Sequence, residues 1–172
     1  MDARLETILT RQQAAGFPGL SGSSVRATIR VSAVLLNEAV AAYAASASAV
    51  RDLSVTPRAD NRLHVQLKLA KASFLPSLSL MLVIERQPEL PQDPVLVFHI
   101  TGAGGMMRLA GPAISSFGVL PPGIRLEGDR LLVDLRAVLA DRAQPNLLDY
   151  AEQLQVLTEE GSLVLLVQLR VP

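Results

Sequence analysis

Apolar and polar residues alternate most strictly between Asn61 and Arg86. Leu63, Val65, Leu67 and Leu69 alternate with Arg62, His64, Gln66 and Lys68. After a turn over Lys71 to Pro76, Leu78, Leu80, Leu82 and Ile84 alternate with Ser77, Ser79, Met81, Val83 and Glu85. Side chains point to opposite faces of a strand with period two, so this stretch predicts two long strands, each with a continuous aliphatic face that needs cover.

The same reading extends along the chain. Asp2 to Ala15 has Leu5, Ile8, Leu9 and Gln12 on one helical face, and the loop of Gly16, Pro18, Gly19 and Gly22 separates it from the rest of the chain. Val25, Ala27, Ile29 and Val31 against Arg26, Thr28 and Arg30 predict a half-exposed strand, which runs directly into a helix capped by Ser32. That helix has a stripe of Leu35, Leu36, Ala39, Val40 and Tyr43. Its other side is mostly alanine, which suits a helix enclosed by strands. Val50 to Pro57 reads as a strand with Leu53 and Val55 inward, and Val95 to Thr101 as one with Leu96, Phe98 and Ile100 on the core face.

Beyond Gly102-Ala103-Gly104-Gly105, Met106 to Phe117 has a helical pattern interrupted by Pro112. Ile124 to Leu135 predicts a hairpin turning at Gly128-Asp129, and Arg136 to Arg142 a short helical turn. Asn146 to Glu159 reads as a helix, with Leu147, Leu148, Ala151, Leu154 and Leu157 as its stripe and Gly161 as its stop. Ser162 to Val171 is a final strand with Leu163, Leu165, Val167, Leu169 and Val171 on one face. Consecutive strands dominate this order, which favours an antiparallel or mixed α+β sheet over a doubly wound fold. The expected organisation is a helical segment over 1–16 and a single α+β domain over 23–172.

Composition narrows the functional classes. Hydrophobic residues make up 49% and aromatics 3%, with no tryptophan, so the core is built from short aliphatics that leave room for a cavity. A formal net charge of zero removes the electrostatic case for nucleic acid. Without cysteine, thiolate catalysis and cysteine metal sites are excluded, as are disulfides. Charges at Asp2, Arg4, Glu6 and Arg11 are unlike a signal peptide, and no apolar run reaches the roughly 18 residues of a membrane span. The expected compartment is the cytoplasm, unless a leader upstream has been removed.

Candidate chemistry is sparse. His64 lies on the polar face of its strand, and His99 on the face opposite Phe98 and Ile100. Neither has a second ligand at metal spacing. No G-x-S-x-G elbow is present, and the glycines after Thr101 lack both G-x-G-x-x-G and G-K-[ST]. Glu127, Asp129, Asp134 and Asp141 read as turn, cap and solvated edge. The expectation is therefore no catalytic residue, no metal and no cofactor. A hydrolase using Asp129 or Asp134 with His64 or His99 is the third-ranked alternative.

The run VRATIRVSAVLLNEAVAAY resembles the opening of tubular lipid-binding (TULIP-like) domains, in which a strand leads directly into a helix with a Leu-Asn pair, here Leu36-Asn37. The strands NRLHVQLKLAKASFLPSLSLMLVIER, a later helix over Gly105 to Phe117 and the hairpin GIRLEGDRLLVDL come next in a similar order, so the resemblance covers Val25 to Leu135. It implies long antiparallel strands rolled around a helix in a single domain. It also implies an apolar groove or tunnel for acyl chains, with no cofactor and no catalysis. The lining implied is Leu36, Val40, Leu67, Leu69, Leu80, Leu82, Ile84, Phe98, Met106 and Leu109. The leading expectation is non-enzymatic binding of a lipid or other apolar small molecule, with peripheral membrane contact as in many members. The alternative is a scaffold with a dry core. It would bind a protein partner through the N-terminal helix (Leu5, Ile8, Leu9) or a sheet edge. A homodimer is also among the expected partners.

Overall fold

A computed structural model describes residues 18–46, 50–70, 77–101, 120–141 and 145–171. Its strands are β1 (Ser24–Ser32), β2 (Val50–Arg58), β3 (Arg62–Leu69), β4 (Leu78–Arg86), β5 (Val95–Thr101), β6 (Ile124–Glu127), β7 (Arg130–Asp134), β8 (Ala151–Glu159) and β9 (Ser162–Arg170). Helix α1 (Ala33–Ser46) follows β1 without a break, and α2 (Leu135–Asp141) follows β7. Short 3-10 turns occupy Pro18–Leu20 and Pro145–Tyr150. The N-terminal helix expected over 2–15 and the helix expected over 106–117 lie outside the described residues. Among the described residues, no helix is long and apolar enough to cross a membrane.

The strands form two antiparallel sheets. The larger is a curled half-barrel in the order β2-β3-β4-β5-β7-β6, and the smaller is β1-β9-β8. Register keeps the apolar faces together. Leu53 lies opposite Leu67, Val55 opposite Val65, and Leu63 opposite Leu82. Val65 lies opposite Leu80, Leu82 opposite Ile100, and Phe98 opposite Leu131. A slip of one residue would turn each of these rows outward, so this alternation specifies the pairing strongly.

Two clusters fill the concave side. In one, Leu63, Leu80, Leu82, Leu96, Phe98 and Ile100 join Val156 of β8, with Leu154, Leu163 and Leu165 of the smaller sheet packed against them. In the other, Val50, Leu67, Leu69 and Leu78 are buried beside Ala44, Leu53, Leu120 and Leu126. The smaller sheet thus covers one part of the curled face, and α1 lies along β2 at another. The expected enclosure of α1 is partial: none of its described side chains is buried, and Leu35 is 54% exposed.

Local signals account for the turns. Ser32 Oγ accepts from Leu35 N at 3.3 Å, capping α1. Asp60 and Asn61 carry positive φ between β2 and β3, a conformation that Asp and Asn tolerate better than most residues. The β6–β7 hairpin turns at Gly128-Asp129, as the alternation predicts.

One expected element is corrected. Residues 151–159 are strand β8, not the second half of a helix, and only 145–150 turn helically. Leu154, Val156 and Thr158 alternate on the inner face, opposite Val167, Leu165 and Leu163. Leu157, on the other face of β8 opposite the buried Val164, breaks the polar row and produces the apparent helical stripe. The neighbouring strand decides the outcome, because β9 is apolar and is reached through a two-residue turn. Gly161 does adopt positive φ, at 74°, but it closes a hairpin and does not end a helix.

Candidate functional site

Between the two clusters lies a cavity of about 410 Å³, open on one side. Its floor is the concave sheet: Leu53 and Val55 of β2, Val65 and Leu67 of β3, Leu80 and Leu82 of β4, Ile100 of β5, and Leu131 of β7. Leu126 and Ile124 of β6 curl up at the far side. Ala39, Val40 and Tyr43 of α1 form one wall, and the rim is built from Leu120, Pro121, Pro122 and Val138. The volume falls within the roughly 300–1,000 Å³ of small-molecule sites.

Among the described residues the lining carries no charge, and its one side-chain hydroxyl is that of Tyr43. Burial pushes the Tyr43 phenol above the ordinary tyrosine range, because phenolate loses more hydration than phenol in this apolar wall. Two fixed contacts hold the walls. Asn37 ties α1 to β2: its Nδ2 donates to Val55 O at 2.7 Å, and its Oδ1 accepts from Val55 N at 2.8 Å. At the rim Gly123, with φ +83°, accepts from Asp134 N through its carbonyl at 2.7 Å. A Cβ on Gly123 would lie 2.9 Å from Val138 N and 3.0 Å from Ala137 Cβ, so this approach to α2 requires glycine.

Of the expected lining residues, Val40, Leu67, Leu80 and Leu82 face the cavity. Ile84 and Phe98 lie in the cluster with the smaller sheet, and Leu69 packs with Val50 and Leu78. Leu36 is half-buried on α1 outside the lining, and Met106 and Leu109 lie outside the described residues. Val65, Ile100 and Tyr43 share the phase of expected residues and were legible in principle. The wall from Leu120 to Ile124 was not, because prolines and a glycine read there only as punctuation.

The polar candidates lie elsewhere. His99 and His64 fall on the convex face, opposite in phase to Ile100 and Val65. His99 Nδ1 is 3.5 Å from Asp129 Oδ2 with both side chains exposed, and His64 Nε2 meets Ser79 Oγ at 2.7 Å. Asp134 caps α2, where its Oδ1 accepts from Arg136 N at 3.0 Å and Ala137 N at 3.1 Å. Glu85 holds Arg130 through two bonds of 2.9 and 2.7 Å and raises its pKa. Among the described residues, no group of three or more His, Asp or Glu is placed to hold a metal. Comparisons with family models, with curated proteins and with solved structures give no match for this chain.

Proposed function

We propose that this chain binds a lipid acyl chain or a similar apolar small molecule in the cleft between α1 and the curled sheet, without catalysis. The observation that carries this reading is the uncharged aliphatic lining of an open cleft of about 410 Å³. The described lining offers water few side-chain partners, whereas an alkyl chain gains about 25 cal/mol for each Å² of apolar surface it buries. The driving force has no direction, so selectivity comes from the length and width of the cleft. The resemblance of the strand-helix opening and the strands after it to tubular lipid-binding domains points the same way. So does the placement of both histidines on the convex face, away from any occupant.

Native mass spectrometry of the purified protein, followed by organic extraction, tests the reading. A bound lipid at defined stoichiometry, or saturable uptake of a fluorescent fatty acid, is the expected result. A clean apo mass with no probe uptake would leave a dry scaffold as the better account.

A further inference from the structure

The two sheets have four edges among the described residues, and three of them are guarded. On β2, both backbone groups of Val55 are taken by the Asn37 side chain. On β8, Gln87 Nε2 donates to Val156 O at 2.7 Å and Gln87 Oε1 accepts from Val156 N at 2.9 Å. Asn61 Oδ1 accepts from Thr158 N, two residues further along. Strand β6 is four residues long. Short strands and occupied backbone groups are how sheets avoid pairing with other chains.

The fourth edge, β1, has nine residues, and β9 is its one strand neighbour among the described residues. Val171 N donates to Ser23 O and Ala33 N to Gly161 O, so the odd-numbered positions bond toward β9. The alternation of an antiparallel ladder then aims the backbone N–H and C=O of Ser24, Arg26, Thr28 and Arg30 away from it. On the face shared with Ala27, Val25 is 56% exposed and Ile29 is 47% exposed.

We propose that β1 is a self-association edge, where two copies of this chain pair antiparallel about a two-fold axis at Ala27. The two three-stranded sheets would become one continuous sheet. This register is selected by the side chains. With the axis at Ala27, Val25 lies opposite Ile29 of the partner subunit, Arg26 opposite the partner's Thr28, and Ser24 opposite the partner's Arg30. An axis at Thr28 sets Arg26 against Arg30, and an axis at Arg26 sets that arginine against itself, arrangements that like charges disfavour. An axis at Val25 or Ile29 leaves the other of these two without a strand opposite. The arginines do not obstruct the chosen register, because Arg26 bonds Gln168 at 3.1 Å and Arg30 pairs with Glu159 within the subunit. This inference is independent of what the cleft binds.

The test uses sedimentation and a cross-link in the full chain. The wild type is expected to be a dimer whose dissociation constant rises about tenfold or more in Ile29→Lys. Far-UV circular dichroism should match the wild type. Ala27→Cys should form an intermolecular disulfide on mild oxidation, because a non-hydrogen-bonded pair sets the Cα atoms about 4.5 Å apart, within disulfide reach. The chain has no other cysteine. Arg26→Cys, whose copies lie diagonally across the axis, should cross-link far less. A monomeric wild type overturns the proposal, and so does a dimer that Ala27→Cys fails to cross-link. Because Ala27→Cys is a small change, it decides the matter even if Ile29→Lys fails to fold.

Discussion

The side-chain amide of Asn37 behaves toward Val55 as a neighbouring strand would, accepting from its N–H at 2.8 Å and donating to its C=O at 2.7 Å. The same Nδ2 also reaches Ala33 O, one helical turn back, at 2.7 Å. One residue thus fixes the helix to the sheet edge and closes that edge. Gln87 does the same for Val156 at the other sheet.

Asn37→Ala should therefore destabilise the fold by about 1–3 kcal/mol, since two part-buried backbone groups lose their partner. Asn37→Asp should recover little: its carboxylate can accept from Val55 N–H but meets the carbonyls of Val55 and Ala33. Gln87→Ala should cost a similar amount. Urea unfolding of the three variants measures this, and a loss below about 0.5 kcal/mol for Asn37→Ala would show that water replaces the clamp.

Leu80→Trp and Leu82→Trp should fill the cleft and lower uptake of a fluorescent fatty acid while the protein remains folded. Both residues line the cavity floor, and the chain has no other tryptophan, so the new fluorophore also reports ligand contact. Phe98→Leu, placed under the smaller sheet, is the control expected to alter stability more than uptake. Unchanged uptake in folded tryptophan variants would remove this cavity from the binding proposal.

Tyr43 supplies a pH signature. Its phenol titrates above the ordinary value of about 10 in the folded state. A raised folded-state pKa gives stability that is fully present below the unfolded value and lost as pH rises through the folded one. Stability should thus fall through the alkaline range above about pH 10, and Tyr43→Phe should remove that component. An apolar ligand in the cleft should push the Tyr43 titration higher still. Absorbance of phenolate in a Tyr150→Phe background, with and without fatty acid, checks both.

Gly123→Ala should destabilise the rim twice over, through positive φ and through contact with the start of α2. A loss of about 1–3 kcal/mol with a change in probe uptake is expected, since Pro121, Pro122 and Val138 border the cleft beside it. Gly128→Ala has open space around its Cβ and carries only the strain of its φ of 62°. It should cost less and leave uptake unchanged. Thermal unfolding and probe titration of the pair separate packing from strain.

Period-two alternation by itself determined β1, β3, β4 and the inner rows of β5 and β9, because a strand half-covered by other elements must sort its side chains residue by residue. Local sequence signals determined the turn at Gly128 and the cap at Ser32, where backbone geometry depends on neighbours a few positions away, but read Gly161 as the end of a helix when it closes a hairpin. Only the tertiary structure decided that residues 151–159 form a strand. Leu157 supports either period, and the exposed edge of β9 selects one. It also decided which aliphatic residues meet each other and which meet the cleft: Leu82 and Phe98 share a cluster, yet only Leu82 lines the cavity. Alternation assigns a residue to a face. A cavity is a space between faces, and its lining is set by where α1, the Leu120–Ile124 rim and the smaller sheet come to rest on that face.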